Sequence, residues 1–84
     1  MFSYLFTFRS QTAAQSGRRI LYEAGLWTQL RRAPPQASSL GCTWAVYVNA
    51  ADGVHAAQLL HAWHSAVSGV YRIYPNGYLE RAEL

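Results

Sequence analysis

The chain opens on an alternation that leaves it little structural choice. Phe2, Tyr4, Phe6 and Phe8 are spaced two apart. A strand turns successive side chains to opposite faces, so all four rings fall on one side. A face that aromatic has to be covered. In a chain of 84 residues the cover comes from the chain's own helices, with a second copy left to shield part of the opposite face.

The helices can be read off the sequence that follows. Ser10 is an N-cap residue, and after it Ala13, Gly17, Ile20, Leu21 and Ala24 recur at helical spacing until Gly25 offers a stop. Leu26 to Arg31 then reads as a polar edge strand ended by Pro34-Pro35, since proline cannot donate to a ladder. Cys42 to Val48 carries no charge and reads as a central strand. Asp52 is placed to cap a second helix with the stripe Ala56, Leu59, Leu60, Trp63 and Val67, ended by Ser68-Gly69. Val70 to Tyr74 is a fourth strand, Pro75-Asn76-Gly77 a turn, and residues 76–84 a turn with either a short fifth strand or a frayed tail.

The order β-α-β-β-α-β in residues 1–84 predicts one α+β domain of the ferredoxin-like, split-βαβ kind, an antiparallel sheet with both helices on one face. In that topology the start of strand three lies beside the end of strand one, where the first helix begins. The rim so formed collects Arg9, Ser10, Gln11, Thr12 and the only cysteine, Cys42, with Arg31 and Arg32 arriving at the end of strand two and His64 directed toward the same edge. A helix N-terminus and guanidinium groups both favour a thiolate or another anion. The plain alternative is that Cys42 is a small buried hydrophobe.

Composition removes several classes of function. One cysteine excludes an intrachain disulfide. No apolar run approaches the roughly 20 residues that span a bilayer, and the opening segment lacks the basic stretch and cleavage site of a signal peptide. A cytoplasmic location is the default expectation, with no membrane partner. The net charge of +3 comes from seven arginines against four acidic residues, too little to indicate a nucleic-acid protein by itself. The aromatic strands lack the basic-glycine-aromatic signature of RNA-reading sheets. Glu23, Asp52, Glu80 and Glu83 form no catalytic pair, no nucleophile–histidine–acid set stands out, and no phosphate loop is present, which argues against a conventional enzyme. His61 and His64 share one side of a helix, with His55 facing away. A His-x-x-His pair without a third ligand reads as solvated histidines, so neither a metal nor another cofactor is expected.

Three stretches carry a family resemblance: the opening Tyr4-Leu5-Phe6-Thr7-Phe8-Arg9-Ser10, the helix end Leu21-Tyr22-Glu23-Ala24-Gly25, and the loop Pro34-Pro35-Gln36-Ala37-Ser38-Ser39-Leu40-Gly41-Cys42. Together they resemble the putative selenium/sulfur carrier-like proteins over most of residues 3 to 72. The resemblance implies a thiol on Cys42 that holds sulfur or selenium as a persulfide or perselenide, approached through Ser38 and Ser39, and partners that donate and accept the chalcogen. The alternative function is a non-catalytic interaction or ligand-binding module in which Cys42 is structural. A homodimer through the sheet, anchored by Trp27, Tyr47, Tyr71 and Ile73, is compatible with either.

Overall fold

A computed structural model describes residues 1–38 and 43–84. Strand β1 (Ser3–Phe8) leads into helix α1 (Gln11–Glu23) and strand β2 (Thr28–Arg32). A 3-10 turn, Pro35–Ala37, precedes strand β3 (Trp44–Asn49), and a second, Ala50–Asp52, runs directly into helix α2 (Gly53–Ala62). Strands β4 (Gly69–Ile73) and β5 (Leu79–Arg81) follow. The sheet order is β2-β3-β1-β4-β5 with every pair antiparallel. This is the expected ferredoxin-like arrangement with a fifth strand added beyond β4.

The aromatic stripe of β1 does what its spacing dictates. Tyr4, Phe6 and Phe8 form one core cluster with Ala14 and Leu21 of α1 and Ala56 and Leu60 of α2, and Phe2 packs against it. Both helices therefore lie on this face. Phe6 and Phe8 are at most 1% exposed, and each ring so buried contributes about 1.5–3 kcal/mol. Two glycines allow the close approach. A Cβ at Gly53 would overlap the edge of the Tyr4 ring, and one at Gly17 would lie 2.7 Å from Phe8 Cζ.

The opposite face is covered as well. Leu5, Ala45 and Tyr47 cluster with Ala37, and Ala33, Tyr71, Ile73 and Leu79 pack around them. Ala37 is 1% exposed, so the segment after β2 folds across the face that the sequence reading left to a second copy. Of the four side chains proposed as dimer anchors, Tyr47 is buried, Tyr71 and Ile73 are half-buried, and Trp27 is 50% exposed.

Helix ends account for most of the shifts from the expected boundaries. Ser10 caps α1 as its type requires, its Oγ accepting from Ala13 N at 3.0 Å. At the other end Leu26 N donates to Leu21 O and Gly25 N to Tyr22 O, with Gly25 at φ 86, a Schellman closure. Leu26 is consumed by that closure, so β2 starts at Thr28 and not at Leu26. Asp52 stands at the N-cap but makes no side-chain capping bond, and the amide of Gly53 bonds to Ala50 O in the preceding 3-10 turn. Helix α2 stops at Ala62, well before Ser68. His64 takes φ 53 and completes a second Schellman closure, Ser65 N to Leu60 O and His64 N to His61 O. Trp63 thus leaves the stripe and is 68% exposed, whereas Val67 reaches the core from the following loop.

The C-terminal segment is a strand and not a frayed tail. Tyr74 N donates to Tyr78 O, Gly77 N to Tyr74 O, and Asn76 Oδ1 accepts from Tyr78 N, with Gly77 at φ 88. These bonds close a three-residue hairpin connection of the kind that needs glycine in the left-handed region.

Candidate functional site

The register fixes what meets at the rim. Phe8 and Arg32 both pair with Trp44, and Thr7 pairs with Gly69. The end of β1, the start of β3, the end of β2 and the start of β4 therefore share one end of the sheet, and α1 begins there. Ala33 N donates to Thr43 O at 2.9 Å, carrying the β2–β3 ladder one pair further. Ser68 N donates to Thr7 O at 2.8 Å and brings the chain from α2 to the same end.

Arg9, Gln11 and Thr12 are exposed at this rim. Gln11 and Thr12 occupy the first two positions of α1, where amides have no intrahelical acceptor. Ser10 is also exposed, but its hydroxyl is used as the cap. Arg9 makes no ion pair among the described residues.

The two arginines of β2 do not act together. The pleat sends them to opposite faces. Arg32 lies over the Trp44 ring, 4.7 Å from its centroid, on the side where α1 packs. Arg31 lies over Tyr47 at 4.8 Å on the other side, and its guanidinium also donates to Gln29 Oε1. Burial pushes the Tyr47 phenol above its ordinary pKa, and the Arg31 charge offsets part of that rise. Each stack is worth about 0.5–1 kcal/mol at an exposed site, and each keeps a guanidinium beside an aromatic ring of β3.

Ser38 is half-buried and bonded locally, its Oγ donating to Pro35 O at 2.9 Å. Ser39 and Cys42 lie outside the described residues, so the thiol itself is placed only by sequence, one position before Thr43. His64 stands just beyond α2, exposed, in the segment that returns to this end of the sheet. Among the described residues, no three of His, Cys, Asp and Glu gather as a metal site. No helix among the described residues is long and apolar enough to cross a membrane.

A second polar cluster went unnoticed in the sequence. At the opposite end of the sheet, Arg72 pairs with Glu80 at 3.1 Å, Tyr74 Oη donates to the same carboxylate oxygen at 3.2 Å, and the Phe2 and Tyr4 rings lie 5.8 and 5.6 Å from the guanidinium. The available signal was the pairing of Arg72 with Glu80 across the turn. The cluster fastens β5 to β4. The Arg32–Trp44 stack was equally hidden, since it depends on a cross-strand register that Arg32 and Trp44 do not reveal separately.

No curated protein and no solved structure gave a significant match to the chain. A family match does exist, and it extends from the first residue of β1 into β4, across the described rim and the stretch between β2 and β3 in whose sequence Cys42 stands. Over residues 3–72 the sequence fits the family described as Putative Se/S carrier protein-like, and the chain belongs to that family.

Proposed function

We propose that the protein is a sulfur or selenium carrier whose cargo is held on Cys42. The family match over residues 3–72, which spans the sole cysteine, carries this reading. The surroundings of β3's first residues support it. The open amides of Gln11 and Thr12 and the charges of Arg9 and Arg32 are the groups that stabilise a thiolate or a persulfide anion. Arg31 and Ser38 have lesser parts, held to Tyr47 and Pro35. Ser39 accompanies Cys42 as part of its approach. The setting is the cytoplasm, where thiols stay reduced.

The chemistry is an exchange without net oxidation. The Cys42 thiolate attacks the terminal sulfur of a donor persulfide, R–S–SH. A new S–S bond forms as the donor's S–S bond breaks, and the donor leaves as RS⁻. Delivery is the same step in reverse direction, with an acceptor thiolate as the nucleophile. A perselenide follows the same balance with selenium as the terminal atom.

The test is a mass spectrum of protein isolated without reductant, together with the rate of iodoacetamide labelling against pH. A carrier shows an adduct of one sulfur or one selenium atom, lost in Cys42→Ser. Its thiol titrates below the free value of about 8.5. Labelling no faster in the folded than in the unfolded protein, with no adduct after incubation with a small-molecule persulfide, would leave a non-catalytic module with a structural cysteine.

A further inference from the structure

The outer edge of β2 presents a different kind of site. The Ala33 N to Thr43 O bond identifies Ala33 and Thr43 as a hydrogen-bonded pair. Bonded and non-bonded pairs alternate along an antiparallel ladder. With Gln29 opposite Tyr47 and Arg31 opposite Ala45, Gln29 and Arg31 turn their backbone groups toward β3. Thr28, Leu30 and Arg32 turn theirs outward. β2 is the last strand on its side of the sheet, and no backbone group among the described residues bonds to that edge.

A groove of about 480 Å³ runs beside the edge, lined by Gln15 and Arg18 of α1 and by Thr28, Gln29 and Leu30. The Thr28 hydroxyl in its wall is shielded from solvent and has no hydrogen-bond partner among the described residues. The charge is one-sided. Arg18, Arg31 and Arg32 surround the edge, and the one carboxylate on α1 and β2, that of Glu23, is engaged by Arg19 at 3.2 Å. Arginines on an edge strand also disfavour pairing with a second copy, since each copy would add like charge to the seam.

We propose that this edge docks an extended, acidic segment of a partner protein, which adds as a further strand beside β2 and places an acidic side chain in the groove at Arg18. The backbone ladder supplies the affinity and the arginines supply the selection for acidic sequence. The proposal does not depend on the thiol chemistry, and it is tested in both the wild-type chain and Cys42→Ser.

The experiment is amide hydrogen exchange by NMR, with a synthetic peptide of alternating glutamate and valine as the probe and its lysine–valine counterpart as the control. In the free protein the amides of Gln29 and Arg31 are protected, and those of Thr28, Leu30 and Arg32 are not. Saturation with the acidic peptide slows the latter three by about tenfold or more, equally in Cys42→Ser, and the lysine peptide does not. The exposed double variant Arg18→Glu/Arg32→Glu weakens the acidic peptide about tenfold or more, roughly 1.4 kcal/mol, and admits the lysine peptide. Protection of those three amides before any peptide is added, protection that grows with protein concentration alone, or equal binding of both peptides would each overturn the proposal.

Discussion

Gly53 opens α2 against the ring of Tyr4, and replacing it with alanine tests that close approach. The added methyl would fall on the Cδ2–Cε2 edge of that ring and 2.9 Å from Cγ. The ring has nowhere to go. Tyr4 is 8% exposed, Phe2 meets it edge-on at 5.2 Å between centroids, and the Arg72 guanidinium lies 5.6 Å away. Forced overpacking of a core costs about 1–3 kcal/mol. Alanine returns up to about 1 kcal/mol of helix propensity, less at the first residue of a helix. The expected net loss is about 1–2 kcal/mol, which for a domain of this size is a fall in Tm of roughly 5–15 °C. Urea unfolding followed by circular dichroism measures it. The decisive comparison uses Tyr4→Leu as background, where Gly53→Ala should cost less than about 0.5 kcal/mol, giving a coupling near 1 kcal/mol. Equal costs in both backgrounds, or a Gly53→Ala protein as stable as wild type, would refute the packing argument.

Three further outcomes follow from the helix ends and the second face. His64→Gly removes a side chain from φ 53 and should stabilise by about 0.5–1 kcal/mol in thermal melts; a loss would mean that the imidazole has a partner. Ser10→Ala deletes the bond to Ala13 N and should destabilise by about 1 kcal/mol, with Ser10→Asp recovering most of it. Tyr47 has its folded pKa raised by burial, so its contribution to stability is complete below the unfolded value of about 10 and is lost as pH climbs past it. Tyr47→Phe should therefore flatten the decline of stability above pH 10; an unchanged slope would show that another tyrosine governs it.

What the residues disclosed in advance depended on how local the signal was. The β1 stripe, the Ser10 cap, the Gly25 stop and the Pro75-Asn76-Gly77 turn each act within a few positions, and each appears where the pattern placed it. The end of α2 did not disclose itself, because His64 adopts a backbone conformation that the sequence marks with glycine elsewhere. Trp63 kept the helical period while lying outside the helix. The cover over Leu5 and Tyr47 was equally opaque, since Ala33 and Ala37 are small residues in a proline loop and carry no periodic mark. At the rim, Arg31 and Arg32 looked like a pair until the pleat separated them. The topology that gathers the rim was legible from element order, but the groups holding each guanidinium required the register.

Strand β1 is the middle strand of the sheet and carries the rings that both helices cover. All residues from Tyr4 to Phe8 are buried, and their hydrogen-bonding neighbours are β3 on one side and β4 on the other, with Thr7 opposite Gly69. Strand β1 is thus completed by a strand far along the chain, Thr7 and Gly69 being 62 residues apart. Contacts of such long sequence separation slow the search for the native state, and a nascent chain must keep four aromatic rings out of trouble until its closing partner emerges. Pulse-labelled refolding should find the β1 amides that face β4 gaining protection in step with β4, and not with the nearby α1.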